Sequence, residues 1–150
     1  MLRAKYTVGI QDAEDRGSDC WGSGNFGASR GSRTHNGKDV LVPAGSNFFS
    51  VSSGDVTKFG YCYRGEGYRY VEITDREGNR VRHFYIKPNI SLMIGDRIGM
   101  GALIGTSQDL ACKYQADECH SEDMPNHVHI EVMSGLDSKV FFDPDEYEFT

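Results

Sequence analysis

Apolar and polar residues alternate over several short stretches of the chain, and this two-residue period is typical of β-strands with one buried face. In the clearest case His127, His129 and Glu131 fall on one face of a strand. No stretch of about 12 residues shows a convincing 3.6-residue period, so no helix is predicted. We predict strands at 39–42, 48–51, 56–63, 68–74, 81–87 and 127–133.

Turns rich in glycine separate these strands, and the chain is long enough for a single core. Its 150 residues include 18 glycines. The sequence therefore predicts an all-β, single-domain protein built on a mostly antiparallel sheet. We expect 1–23 to be an irregular N-terminal segment, since closely spaced glycines interrupt any period there, and 24–150 to form the domain.

Charge and hydropathy exclude several classes of function. The net charge is −6 and basic residues do not cluster, so nucleic acid is not an expected partner. No apolar stretch approaches the roughly 18 residues that a membrane span needs. The first 16 residues lack the apolar segment of a signal peptide. Three settings remain: the cytoplasm, a chain cut from a longer precursor, or delivery by other machinery such as a virion.

Two histidine motifs, ninety residues apart, predict a metal site. The first reads His35-Asn36-Gly37-Lys38-Asp39, and the second contains His127 and His129. Strand alternation places His35 and Asp39 on one face, and His127 and His129 on one face of a second strand. If the two strands pair, two imidazoles and a carboxylate converge, which is the ligand set of a catalytic zinc ion with one open position. We predict one Zn²⁺ held by His35, Asp39 and His129.

Neighbouring residues are assigned supporting roles. His127 lies two residues from a ligand on the same face and is the candidate general base. Glu131 is expected to hydrogen-bond a ligand imidazole from behind. Gly37 lies between two ligands, where a side chain would crowd the metal. Ordinary polar residues on a solvated sheet face are the alternative interpretation.

The four cysteines leave the redox state open. An even number is compatible with two disulfides and three pairings. Cys112 and Cys119 bracket a polar loop, and a local disulfide between them is the favoured pairing, with free thiols as the alternative.

Beyond these motifs, the chain resembles the lysostaphin-type zinc endopeptidases, which cut peptide bonds in bacterial peptidoglycan. The resemblance runs from about Gly24 to Tyr147. It implies an antiparallel β fold with a metal-bearing groove, zinc ligands at His35, Asp39 and His129, and a catalytic histidine at His127. The matching segments are Phe26-Gly27, Arg30, His35 to Asp39, Pro43-Ala44-Gly45, Gly54-Asp55-Val56, Gly95 to Ile98, Gly101, Ile104-Gly105, His127 to Glu131 and Asp143 to Tyr147.

In one strand the chain departs from the family pattern. Active members carry a second catalytic histidine in a Tyr-x-His strand, and an ungapped match places Lys87 at that position. The strand period puts His83, Tyr85 and Lys87 on one face, so each is a candidate for stabilising negative charge in the reaction. The alternative is that the second histidine is missing and hydrolysis is lost.

The same strand, Phe84 to Pro88, also resembles leukocyte cell-derived chemotaxin, a secreted animal relative with this fold that acts as a binding protein. Its cysteine pattern differs from the one here. A bacteriophage source is preferred, with the protein in a virion or in the extracellular or periplasmic cell-wall space, and with other virion proteins as further partners.

Taken together, these features predict a zinc metalloendopeptidase that hydrolyses peptide bonds of peptidoglycan, in a cross-bridge or a stem peptide. The alternative is a zinc-containing binding or structural module on a catalytically degenerate fold. Peptidoglycan peptides are the expected ligands in the first case.

Overall fold

The computed structural model describes residues 14–30, 33–117, 120 and 122–150. Strands and turns account for this part of the chain, which contains no helix and hence none long and apolar enough to cross a membrane. The all-β prediction is confirmed. The strands are β1 (Glu14–Asp15), β2 (Ser18–Asp19), β3 (Gly22–Ser23), β4 (Ser29–Arg30), β5 (Arg33–Thr34), β6 (Gly37–Leu41), β7 (Asn47–Phe49), β8 (Gly54–Tyr61), β9 (Arg69–Thr74), β10 (Arg80–Phe84), β11 (Ile86–Pro88), β12 (Arg97–Ile98), β13 (Leu103–Ser107), β14 (His127–Met133) and β15 (Phe141–Phe142).

The main sheet is antiparallel throughout, in the order β1-β6-β14-β10-β9-β8-β12, with β15 paired to the end of β14. The strand with both motif histidines, β14, lies between β6 and β10, and all seven of its residues are buried. Its register with β6 sets His129 directly opposite Asp39. The pairing of the two histidine motifs, expected from strand periodicity, is therefore present.

A second sheet, in the order β11-β13-β7, covers one face of the main sheet. Apolar side chains from both sheets form one core, in which Phe48, Ile86 and Ile104 of the small sheet meet the inward residues of the large one. In β14 the even-numbered residues Val128 and Ile130 point into this core. The odd-numbered residues His127 and His129 consequently face the opposite side of the sheet. The packing of Val128 and Ile130 in the core fixes that orientation.

The predicted strand 81–87 is wrong in one respect, because the chain changes sheet at Tyr85. Strand β10 ends at Phe84, Tyr85 has a φ of 69°, and β11 continues in the second sheet. Among the described residues Tyr85 is the one non-glycine with positive φ, a conformation that costs about 1–3 kcal/mol. Both backbone polar groups of Tyr85 are hydrogen-bonded: its N–H donates to Arg69 O, and its carbonyl oxygen accepts from Gln108 N.

Residues 14–23 pack against the sheet through short strands. Strand β1 pairs with β6, setting Glu14 opposite Leu41 and Asp15 opposite Val40, and β2 pairs with β3 in a small hairpin. Residues 1–13 lie outside the described part, so for them the expected irregular segment stays a prediction.

Candidate metal centre and groove

Three of the predicted residues bring their donor atoms together on the outer face of β6 and β14. His129 Nδ1 lies 2.9 Å from Asp39 Oδ1, and His35 Nε2 lies 3.3 Å from the same oxygen. The two imidazole nitrogens are themselves 2.9 Å apart. All three donor atoms lie within 4.8 Å of one another. His35 reaches the cluster from the loop between β5 and β6 rather than from a strand.

The outer nitrogens of the two rings are already bonded, and this fixes what the inner nitrogens offer. His35 Nδ1 donates to the backbone oxygen of Asn25 at 3.0 Å, and His129 Nε2 donates to Glu131 Oε1 at 3.0 Å. Each neutral ring therefore presents a lone pair at its inner nitrogen. Two lone pairs and a carboxylate oxygen around one point need a cation between them. This donor set fits a tetrahedral zinc site with one open position.

The same contacts perturb both ionisable groups of the pair. Burial opposes protonation of His129, but the hydrogen bonds that its ring donates to Asp39 and Glu131 outweigh this effect and raise the pKa of His129 to about 9. Burial also opposes ionisation of Asp39, yet its bonds to His129 and His35 hold the pKa of that carboxyl well below its usual range. In the metal-free protein near neutral pH, Asp39 is therefore a carboxylate and His129 holds a proton.

Gly37 is required where β6 passes β14. A Cβ at this position would lie 2.2 Å from the carbonyl oxygen of Ile130 and 2.6 Å from Cε1 of His129. The sequence predicted a glycine here to leave room for a metal. The contacts in the structure are with the His129 ring and the backbone of Ile130.

His127 lies beside the cluster, with one ring nitrogen near Asp39. Its Nδ1 donates to the carbonyl oxygen of Pro125 at 2.9 Å, so Nε2 carries the lone pair, 3.5 Å from Asp39 Oδ2. Burial lowers the pKa of this imidazole, although Asp39 partly offsets that effect. A neutral, positioned imidazole at the edge of a groove is suited to accept a proton.

Of the three candidates in the strand 81–87, Tyr85 alone faces the groove. Its ring stands edge-on to that of His127, with centroids 5.4 Å apart. Its hydroxyl lies 3.0 Å from that of Tyr63, which in turn accepts a hydrogen bond from Tyr114 at 2.9 Å. Burial raises the pKa of Tyr85 and of Tyr63, so both hydroxyls stay protonated and able to donate.

His83 and Lys87 lie elsewhere, so the prediction that they share a face with Tyr85 is wrong. His83 is fully buried on the core side, where Nδ1 bonds Val71 O at 3.1 Å and Nε2 accepts from Val51 N at 3.2 Å. Lys87 is exposed on β11. The positive φ of Tyr85 interrupts the alternation on which the prediction depended.

Sequence reasoning missed Arg16, which lies in the segment expected to be irregular. Its guanidinium donates from Nη1 to Asp39 Oδ2 at 2.8 Å and from Nε and Nη2 to both oxygens of Asp19 at 2.8 and 2.9 Å. The side chain is only 3% exposed. No spacing rule connects an arginine to a ligand 23 residues later, so the sequence carried no signal beyond its charge.

The donor cluster opens into a groove of about 460 Å³. Tyr114 and Met124, from the segment between β13 and β14, line this groove together with Trp21. His120 stacks on Trp21 with ring centroids 3.6 Å apart, and Trp21 Nε1 donates to Glu122 O at 2.8 Å. The other lining residues are Arg16, Arg30, Thr34, His35, Asn36, Asp39, Tyr63, Phe84, Tyr85, His127, His129 and Glu131.

Three cysteines lie in the described part of the chain. Cys20, Cys62 and Cys112 form no disulfide with one another, and Cys20 and Cys112 are exposed. Cys119 lies outside the described residues, so its predicted pairing with Cys112 stays a prediction.

Several solved structures with this arrangement of strands are named as peptidases. No family model matches the sequence. The antimicrobial peptidase lysostaphin from Staphylococcus simulans aligns at a TM-score of 0.61 and 20% identity, over 81% of this chain and 45% of that one. This chain has the lysostaphin-type peptidase fold. It spans about half the length of lysostaphin.

Two further solved structures are similar to this chain. The catalytic domain of the prophage-encoded protein EnpA from Enterococcus faecalis aligns over 91% of this chain and 92% of that one, at a TM-score of 0.61 and 17% identity. A zinc containing peptidase from Vibrio cholerae aligns over 78% of this chain and 31% of that one, at a TM-score of 0.56 and 19% identity. The fold expected from the sequence resemblance is confirmed.

Proposed function

We propose that the chain is a zinc-dependent endopeptidase that hydrolyses peptide bonds of bacterial peptidoglycan. One observation carries the proposal. Two imidazole nitrogens and a carboxylate oxygen converge within 4.8 Å in a groove, next to His127, whose Nδ1 is bonded to Pro125 O and whose Nε2 lies 3.5 Å from Asp39 Oδ2. That combination is the minimum for metal-assisted hydrolysis: a three-residue ligand set and a base beside it.

The residues around the cluster divide the remaining tasks. Zinc held by His35, Asp39 and His129 would supply a Lewis acid that polarises a carbonyl group and lowers the pKa of water. His127 Nε2 accepts the proton of the attacking water and later returns it to the leaving amine. Tyr85 carries a protonated hydroxyl beside His127 and is the residue available to donate a hydrogen bond to the developing oxyanion.

The groove suits an extended peptide. Its aromatic residues Trp21, Tyr63 and Tyr114 offer apolar faces, while Arg30 and Asn36 add polar groups to the lining. Structures with this fold include a peptidase described as antimicrobial and a prophage-encoded protein, which supports a cell-wall substrate. On this proposal the protein acts in the extracellular or periplasmic cell-wall space. A role in a phage virion or lysis apparatus is the narrower form of the same proposal.

A second candidate is a zinc-containing binding module without turnover. Its basis is that, among the described residues lining the groove, the imidazoles are His35, His127 and His129. The additional histidine of active family members has no counterpart there, because His83 is in the core and Lys87 is on the other sheet. The two candidates differ in whether the tyrosine hydroxyls suffice for charge stabilisation.

Digestion of purified peptidoglycan by the zinc-loaded protein distinguishes them. Released fragments are identified by mass spectrometry, with His127→Ala and a chelator-treated sample in parallel. New peptide termini that vanish in both controls support the endopeptidase and identify the bond. Zinc bound at one equivalent with no product from several wall chemistries supports the binding module. Loss of zinc from His127→Ala would contradict the assignment of that residue as base rather than ligand.

A further inference from the structure

The two carboxylate oxygens of Asp39 are used differently. Oδ1 faces the two ligand imidazoles, 2.9 Å from His129 and 3.3 Å from His35. Oδ2 accepts a hydrogen bond from Arg16 Nη1 at 2.8 Å and lies 3.5 Å from His127 Nε2. A carboxylate that binds a metal with both oxygens must turn Oδ2 toward it. Here that oxygen is already bonded to a buried cation.

The backbone around Arg16 is tied directly to Asp39. Arg16 N donates to Asp39 O at 3.0 Å, and Asp39 N donates to Gly24 O at 2.9 Å. Gly24 N closes the loop by donating to Gly17 O at 2.7 Å. A Cβ at Gly24 would lie 2.9 Å from the Asp39 Cβ and 3.0 Å from the Arg16 Cβ. The segment from Arg16 to Gly24 therefore packs on Asp39 closely enough to require glycine at the contact.

Asp19 holds the guanidinium in place and balances its charge. It accepts two parallel hydrogen bonds from Nε and Nη2, the bidentate geometry in which arginine is most strongly oriented. With Nη1 bonded to Asp39, all three guanidinium nitrogens are engaged. Lysine has a single point charge and cannot make this set of bonds. The arrangement thus uses a property specific to arginine.

We propose that Arg16 is a positioning residue that restricts Asp39 to binding metal through one oxygen and so keeps a coordination position free for the reaction. This inference rests on the proposed zinc site and deepens it. Without Arg16, Oδ2 loses its hydrogen bond to the guanidinium, and a nearby positive charge is lost. Both changes favour closer association of Asp39 with a divalent ion and fill the position that catalysis needs. Tighter metal binding and slower turnover are therefore expected together.

The test replaces Arg16 by methionine and follows the metal as well as the reaction. Cobalt(II) serves as a spectroscopic probe, because its visible absorption is intense in four-coordinate sites and weak in sites of higher coordination. Zinc affinity is measured by competition with a chromophoric chelator, and urea unfolding reports stability. Arg69→Met is the matched control, since Arg69 donates to Phe59 O and Gly60 O without contacting the cluster. Arg16→Lys and Asp19→Asn are milder variants.

The expected result for Arg16→Met is a weaker cobalt band, zinc affinity increased about 10-fold, and turnover reduced at least about 10²-fold. Asp19→Asn and Arg16→Lys should change in the same direction by less, and Arg69→Met should leave the band and the affinity unchanged. An unchanged cobalt spectrum, or zinc affinity reduced 10-fold in a folded variant, would overturn the inference while leaving the zinc site standing. Failure of the unmodified protein to bind either metal would overturn both.

Discussion

His35 Nε2 lies 2.9 Å from His129 Nδ1 although the two residues are 94 positions apart, and the other nitrogen of each ring already donates to an oxygen. Neutral rings in this arrangement would set two lone pairs against each other. The pair is therefore stable only around a shared proton or a metal ion. The geometry of the two rings, more than the residue types alone, supports the proposed metal centre.

The hydrogen bond behind His129 is the first contact to test. Glu131→Gln keeps the size of the side chain but removes the carboxylate that orients the ring through Nε2. Groups that support a ligand histidine in this way contribute about 10–100-fold to metal affinity, and a loss in that range is expected. Titration with a competing chelator measures it, with Glu66→Gln as an exposed control. Equal zinc affinity in both variants would contradict the role of Glu131.

Gly37 tests whether the passage of β6 against β14 limits the site. In Gly37→Ala the added methyl meets the Ile130 carbonyl and the His129 ring, so β6 or the ring must shift. We expect a loss of about 1–3 kcal/mol in the free energy of unfolding and at least a 10-fold loss in zinc affinity. Gly99→Ala is the matched control, because a Cβ there meets nothing within 4 Å. Full zinc affinity in Gly37→Ala would show that the strands tolerate the methyl group.

Tyr85 and Lys87 test which group of the divergent strand supports turnover. Tyr85→Phe keeps the ring against His127 and removes the hydroxyl. If that hydroxyl stabilises the oxyanion, turnover falls about 10²-fold while zinc affinity is unchanged. Lys87→Met should have no effect, since Lys87 is exposed on β11. The rate of fragment release from peptidoglycan is measured for both variants. A lower rate in Lys87→Met alone would assign the role to Lys87 rather than to Tyr85.

His83 gives the protein a stability that depends on pH. Burial lowers the pKa of His83 from 6.5 to about 4 in the folded protein. Between these values the unfolded chain binds a proton that the folded protein does not, so stability falls as the pH decreases through this window. From pH 7 to pH 5 the loss attributable to this residue is about 2 kcal/mol.

The comparison uses urea unfolding of the native protein and His83→Gln at pH 7 and pH 5. Glutamine retains a donor and an acceptor for Val71 O and Val51 N but does not titrate. The other titrating groups are common to both proteins, so the difference between the two pH dependences isolates His83. Parallel losses in both proteins would place the acid sensitivity at another group.

The sequence predicted the strand β14 with its bounds and the alignment of the two histidine motifs, because both depend on the two-residue period. That period failed at Tyr85, where a non-glycine residue adopts positive φ and the chain moves into the second sheet. No local pattern encodes such a change, since its cost is offset by tertiary contacts. The same reason explains why Arg16 was missed: its partners are set by the packing of residues 14–24 on β6.

The attachment of residues 14–24 to Asp39 has a practical consequence for anyone shortening the chain. The recognisable motifs begin near Gly24, and a fragment cut there would retain every predicted zinc ligand. It would lack the arginine that occupies one oxygen of Asp39 and the tryptophan on the groove wall. We expect such a fragment to bind metal but to differ in activity from the longer chain. A lack of activity in the fragment would therefore not show that the longer chain is inactive.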